Sequence, residues 1–197
     1  MNETLLIKLP PALKEIEERS EGLDFGMASE PLTGALLAAL AASKPGGRLL
    51  ELGTGTGIST AWLLSGMDSS ATLISVDVNA EFQAVAKAVH GHEPRLSLVV
   101  EDGIEFLRKQ TPSSFDLVFA DAIPGKYESL DEALDLVKPG GFFVIDDMLP
   151  QPNWPEGHDK KAEALLERLS METAFQISPL AWASGIVGLV RRSQPSN

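Results

Sequence analysis

The sequence contains no cysteine, which excludes disulfides, thiolate zinc sites and a cysteine nucleophile. Histidine is scarce too: of three, His90 and His92 fall in a short polar turn rather than at metal-ligand spacing along a helix. Long apolar runs are missing. The longest, Gly34 to Ala42, is far short of the about 20 residues that cross a bilayer. The opening residues, MNETLLIKLPPALKEIEE, lack a basic start, a sustained apolar stretch and a small-residue cleavage site. No secretory signal is therefore expected, and a cytoplasmic location is. Basic charge is in deficit, with 16 Lys and Arg against 28 Asp and Glu and a formal net charge of −12. This balance argues against nucleic acid and against an anionic membrane as partners, since both need a basic face.

What is present is a chain of 197 residues, near the size of one domain at about 150 residues each. Short apolar runs at Arg48–Leu52, Thr72–Val76, Leu96–Val100, Phe115–Ala120 and Gly141–Ile145, with a late one at Gly185–Arg191, alternate with helix-like segments. Asn79 suits the cap of a helix over Glu81–Val89, and Leu32–Ala42 follows a Ser29-Glu30-Pro31 start. Tyr127–Val137 places Leu130, Ala133, Leu134 and Val137 on one helical face, and Lys138-Pro139-Gly140-Gly141 reads as a turn into the next strand. Beyond a proline-rich loop from Pro150 to Gly157, Ala162, Leu165, Leu166 and Leu169 line one side of a further helix. That loop is a lid candidate. Strands alternating with helices predict an α/β fold whose mostly parallel sheet carries helices on both faces.

The most informative stretch is Leu50-Glu51-Leu52-Gly53-Thr54-Gly55-Thr56-Gly57-Ile58-Ser59-Thr60, after the first strand and at the start of a helix. Three glycines at alternate positions remove the Cβ atoms that would block close approach of a ligand. Free N–H groups of the helix start, with the hydroxyls of Thr54, Ser59 and Thr60, suit a carboxylate or phosphate. Ile58 breaks the dinucleotide fingerprint, and no lysine follows the last glycine as a phosphate loop requires. Asp77 closes the second strand, where an acid can accept from both ribose hydroxyls, and Asp102 closes the third, where it could accept from an adenine amino group. A plain helix cap is the alternative for each acid. Asp121 ends the fourth strand, and Asp146 and Asp147 the fifth. As sheet neighbours about 4.8 Å apart, these strands would bring the carboxylates together, and crowded carboxylates protonate, pair with a cation or take a hard divalent ion such as Mg²⁺.

With its glycine turn, strand-end acids, Phe115-Asp116-Leu117-Val118-Phe119-Ala120-Asp121 and the Lys-Pro-Gly-Gly turn, the chain resembles the class I S-adenosylmethionine-dependent methyltransferases from about Phe25 to Arg191. Leu50–Ser59 and the spacing of Asp121 to Tyr127 resemble most the catechol and caffeoyl-CoA type O-methyltransferases. The resemblance implies one Rossmann-like domain over 1–197, with N-terminal helices over 1–45 and the core over 46–192. It also implies a seven-stranded sheet whose final strand, Gly185–Arg191, runs antiparallel. Glu51, Gly53, Thr54, Gly55 and Ser59 would hold the methionine end of S-adenosylmethionine, with Met27 and Ala28 near it. Asp77 and Val78 would hold the ribose, Asp102 and Gly103 the adenine region, and Asp121 would face the cofactor. Metal ligands would be Asp121, Asp146 and Asp147, the last normally Asn in that group. A catalytic lysine is expected three residues after Asp121, where this chain has Pro124; Lys126 is the nearest substitute, and His158 the alternative base. Trp154 and Trp182 suit the wall of an aromatic acceptor's pocket and, equally, packing or an interface. The expected reaction is methyl transfer to a hydroxyl oxygen of a small molecule, by a protein that the resemblance makes a homodimer. Transfer to nitrogen, sulfur or carbon, aminopropyl transfer, and a non-catalytic regulatory domain that binds the cofactor remain alternatives.

Overall fold

The apolar runs read from the sequence become strands because helices cover both faces of the sheet they build. In the computed structural model, which describes residues 5–23, 25–26 and 28–193, five of them are parallel. These are β1 (Arg48–Leu52), β2 (Thr72–Asp77), β3 (Leu96–Val100), β4 (Phe115–Ala120) and β5 (Val137–Ile145). Two more, β6 (Phe175–Leu180) and β7 (Ile186–Arg191), complete a seven-stranded sheet of order β3-β2-β1-β4-β5-β7-β6. The last strand, β7, lies antiparallel between β5 and β6. Sheet order reverses between β1 and β4, so a crevice opens there at the strand C-termini.

Helices α1 (Leu13–Ser20), α2 (Pro31–Ala42), α3 (Ile58–Gly66) and α4 (Ala80–His90) precede or follow the first strands. Then come α5 (Gly103–Arg108), α6 (Leu130–Asp135) and α7 (His158–Ser170). One apolar cluster packs α5, α6 and α7 on one face of the sheet through residues such as Phe106, Leu134 and Leu165, while a second packs α2 and α3 on the other through Leu37 and Leu63. Asn79 caps α4 as expected, its side-chain oxygen accepting from the main-chain N–H groups of Glu81 and Phe82. Among the described residues, no helix is long and apolar enough to cross a membrane.

Three expectations need correction. Lys138-Pro139-Gly140-Gly141 is not a turn before the strand but part of β5, where the register slips between Phe115 and Leu117 and Gly140 takes φ +74°. Lys138 is held there by an ion pair of 2.7 Å to Asp116. The helix expected over Tyr127–Val137 contracts to α6, because residues 123–129 form a tight turn in which Gly125 N–H donates to the Glu128 carbonyl at 2.7 Å. In α7, Leu166 is exposed while Ala162, Leu165 and Leu169 are buried. The edge strand β6, where every residue after Phe175 is partly or fully exposed, has no apolar run of its own in the sequence.

Candidate active site

The turn between β1 and α3 is shaped by its neighbours. Gly53 N–H donates to the Val76 carbonyl at 2.9 Å, drawing the chain across the end of β2 with φ +102°. A Cβ at Gly53 would stand 2.6 Å from the Asp121 carbonyl oxygen, so only glycine lets the turn lie against the end of β4. Gly55, at φ +52°, lies under the Phe25 ring, and a Cβ there would meet that ring at 2.5 Å.

Behind the turn lies a buried polar network. Glu51 is fully buried, and its Oε2 accepts from the hydroxyls of Thr60 and Ser75, each at 2.5 Å. Its Oε1 has no hydrogen-bond partner among the described residues. Burial pushes this carboxyl up to about 7, against the hydroxyls of Ser59, Ser75 and Thr60, while the charge of Asp77 adds to the rise. The Ser75 and Thr54 hydroxyls are 2.6 Å apart, and Gln83 Nε2 donates to Thr54 Oγ1 and to the Val99 carbonyl, each at 3.0 Å. Ser75 and Gln83 were absent from the expected site. Their place on the inward faces of β2 and α4 is a helix and strand periodicity signal, indistinguishable in sequence from ordinary packing.

Asp77 clamps two turns. Its Oδ2 accepts from Gly55 N–H and its Oδ1 from Asn79 N–H, both at 2.7 Å. Asp102 caps α5, its Oδ1 accepting from Ile104 N–H at 2.9 Å and Glu105 N–H at 3.0 Å, while remaining exposed at the cavity edge. A single cavity of about 640 Å³ runs along these strand ends, within the range of small-molecule sites. It brings together the expected Ala28, Gly53, Thr54, Gly55, Asp77, Val78, Asp102, Gly103 and Asp121, and with them Lys126, Asp146, Asp147 and His158. Glu51 and Ser59 are buried behind its wall. Met27 lies outside the described residues.

At the other end of the cavity the register Ala120↔Ile145 sets Asp121 beside Asp146. Asp121 N–H donates to the Leu52 carbonyl at 2.9 Å, and Ser29 Oγ donates to Asp121 Oδ2 at 3.5 Å. Burial first, and then the Asp146 charge, hold the Asp121 carboxyl well above the usual range, with Lys126 opposing. Asp146 Oδ1 accepts from Asp147 N–H at 2.7 Å and from the Ser184 hydroxyl. Asp147 has φ +58°, and its Oδ2 accepts from the Trp154 indole N–H at 2.8 Å. Lys126 is only 3% exposed. The one hydrogen bond of its side chain among the described residues runs from Nζ to the Asp147 carbonyl at 3.4 Å. Burial lowers its ammonium from the usual lysine range, opposed by Asp121, Asp147 and Asp146 in that order.

These residues do not fit the divalent ion expected at Asp121, Asp146 and Asp147. Among the described residues, no group of three or more His, Asp or Glu is arranged to hold a metal. The left-handed main chain of Asp147 turns its carboxylate to the Trp154 indole, a protein hydroxyl and N–H fill Asp146 Oδ1, and an ammonium stands where a second cation would be repelled.

Above the carboxylates, Tyr127 Oη and His158 Nε2 are 2.9 Å apart, and the Trp154 ring tilts over the imidazole with centroids 4.5 Å apart. Burial pushes the Tyr127 phenol up to about 12, and desolvation, then Lys126, lowers His158. The 150–157 loop reaches over the cavity, where Asn153 Nδ2 donates to the Gly26 carbonyl at 3.1 Å. Trp182 packs in the α2–α3 cluster instead of walling an acceptor pocket. Trp154 touches the site through its N–H.

A sheet of this order, with a glycine turn and an acid at its switch point, defines a Rossmann-like methyltransferase fold. The chain belongs to the methyltransferase domain family, whose model matches residues 50–148. Over 133 residues it is 38% identical to a Mycolicibacterium vanbaalenii protein named "Putative O-methyltransferase", covering 64% of this chain and 59% of that one. The chain thus spans about 60% of the length of the curated relatives it matches. In structure it is similar to the O-methyltransferase TomG of Streptomyces achromogenes in complex with SAM, at TM-score 0.82 and 22% identity over 97% of this chain and 94% of that one. It is likewise similar to a Bacillus cereus O-methyltransferase in complex with SAH, at TM-score 0.79 and 19% identity over 96% and 94% of the two chains.

Proposed function

We propose that the protein transfers a methyl group from S-adenosylmethionine to a hydroxyl oxygen of a small-molecule acceptor. The observation that carries this reading is one cavity holding, at one end, the glycine turn clamped by Asp77 and, at the other, Asp121 and Lys126. The cofactor fits the first end. Gly53 and Gly55 line the cavity, Asp77 stands at the ribose position, and exposed Val78 and half-buried Ile104 offer apolar faces to a flat base beside Asp102. Bound there, S-adenosylmethionine supplies an electrophilic methyl group on a positive sulfonium.

The chain's own residues then have a limited task. Neutralisation of charge as a deprotonated hydroxyl oxygen meets a sulfonium demands little electrostatic help, so placement in a cleft poor in water supplies most of the rate. Lys126 Nζ, buried with donors to spare, orients the acceptor oxygen. Asp121, which lines this end of the cavity and holds protons more tightly than an ordinary carboxylate, takes the hydroxyl proton. His158, its Nε2 engaged by Tyr127, closes the acceptor end and positions the aromatic wall. A small acceptor agrees with a cavity of about 640 Å³, and a net charge of −12 is hostile to nucleic acid.

Purified protein incubated with methyl-labelled S-adenosylmethionine and a panel of phenols, catechols and carboxylates tests the proposal. Label recovered as a methyl ether or ester supports it. Label on nitrogen or sulfur acceptors alone, or tight binding with no transfer to any acceptor, contradicts it.

A further inference from the structure

Two stretches of chain outside the strands and helices border the cavity and meet. One, with Phe25, Gly26 and Ser29, leads into α2; the other is the 150–157 loop between β5 and α7, with Gln151 and Asn153. The first runs from one end of the cavity to the other. Its Phe25 ring lies over Gly55 and packs edge-on against Phe82, with centroids 5.0 Å apart, and its Ser29 Oγ donates to Asp121 Oδ2 at 3.5 Å. The second is tied down at the acceptor end, where Gln151 Nε2 donates to the Ser184 carbonyl at 3.3 Å and the Trp154 indole N–H to Asp147 at 2.8 Å. Among the described residues one hydrogen bond joins the two, from Asn153 Nδ2 to the Gly26 carbonyl at 3.1 Å, and it is exposed to solvent. Main-chain bonds in both stretches are local, such as Phe25 N–H to the Leu23 carbonyl at 2.8 Å and Trp154 N–H to the Gln151 carbonyl at 3.2 Å. Chain held so sparsely opens at low cost. The loop ends at Gly157, with φ +80° and nothing within 4 Å of a Cβ placed there, a fit position for a hinge.

We infer that these two stretches form a cover that parts at the Asn153–Gly26 bond to admit S-adenosylmethionine and release its demethylated product, with Asn153 a positioning residue for the cover and not a contact of the cofactor. The inference rests on the proposed reading of the cavity as the place of methyl transfer. Closed, the cover keeps water from the reacting groups; open, it exposes the glycine turn. A bond between two parts of the chain holds the cover alike over a filled and an empty cavity, so its loss raises the open fraction of both. Entry and release then quicken together, and the dissociation constant stays nearly the same. Loss of a direct contact with the cofactor would instead quicken release and weaken binding.

Surface plasmon resonance of S-adenosylhomocysteine on the immobilised full chain reads both rate constants. In Asn153→Ala, entry and release should each be about two- to tenfold faster than in wild type, the span expected for one neutral hydrogen bond, with the dissociation constant within about twofold. Asn153→Asp, with the same shape but no amide donor, should do the same. Asn153 is exposed, so neither substitution disturbs the core. Unchanged rate constants in both variants overturn the inference. Faster release alone, with weaker binding, overturns it as well, because Asn153 would then hold the cofactor itself. No uptake of ligand by wild type removes the cofactor reading and this inference with it, whereas normal affinity with unchanged rates removes the inference alone.

Discussion

Glu51 offers the clearest test of how the buried network under the glycine turn is built. It is fully buried, one of its oxygens has no partner among the described residues, and its carboxyl is held up to about 7 from an ordinary 4.5. Because the folded state keeps the proton more tightly than the unfolded chain, the penalty for ionising Glu51 grows as pH rises from about 4.5 and is complete above about 7. At about 1.36 kcal/mol for each pH interval, the full penalty is about 3 kcal/mol, and about 2 kcal/mol of it falls between about pH 5.5 and pH 8. Glu51→Gln keeps the shape and an acceptor for Thr60 and Ser75 but has nothing to ionise. Urea unfolding of both proteins across this range should show the variant gaining about 2 kcal/mol on wild type as pH rises, with unchanged m-values. Parallel pH profiles would refute the reasoning. They would mean that solvent or a cation reaches the free oxygen and that the carboxyl ionises at its ordinary pH.

Two further outcomes follow from the turn itself. Gly53→Ala should lose about 1–3 kcal/mol in thermal unfolding, since its φ of +102° and a Cβ at 2.6 Å from the Asp121 carbonyl leave an alanine no relaxed position; an unchanged melting temperature would contradict this. Asp77→Ala removes both hydrogen bonds that clamp Gly55 and Asn79, and isothermal titration should show S-adenosylhomocysteine affinity at least about tenfold weaker in a folded variant. Unchanged affinity would assign Asp77 to structure alone.

The sequence made the sheet and the glycine turn legible because both are local. A strand buried on two faces is a short apolar run, and a turn that must approach other main chain closely is written in glycine. Expectations weakened where long-range geometry decided. The edge strand β6 carries a proline and exposed side chains, so its alternation resembles a loop. Lys138 to Gly141 reads as a turn by composition, yet pairing with β4 and the Asp116 ion pair draw it into β5. The acids at the ends of β4 and β5 were found from their positions, and the sheet register brings Asp121 and Asp146 side by side. What could not be read was direction. The left-handed conformation of Asp147 and its bond to Trp154, seven residues on, turn a supposed ligand away, and the turn after Asp121 carries Lys126 inward two residues later than its expected place. Ser75 and Gln83 were missed for a related reason: a polar residue at an inward position reveals a buried network only when its partners are known.

Binding of S-adenosylhomocysteine to the purified chain, measured by titration calorimetry, tests the central claim most directly. One molecule per chain should bind with micromolar affinity and raise the melting temperature by mass action, an effect of about 3 kcal/mol at a hundredfold excess over the dissociation constant. Absence of both heat and thermal shift at millimolar ligand would contradict the assignment of the glycine turn, and with it the chemistry built on that cavity.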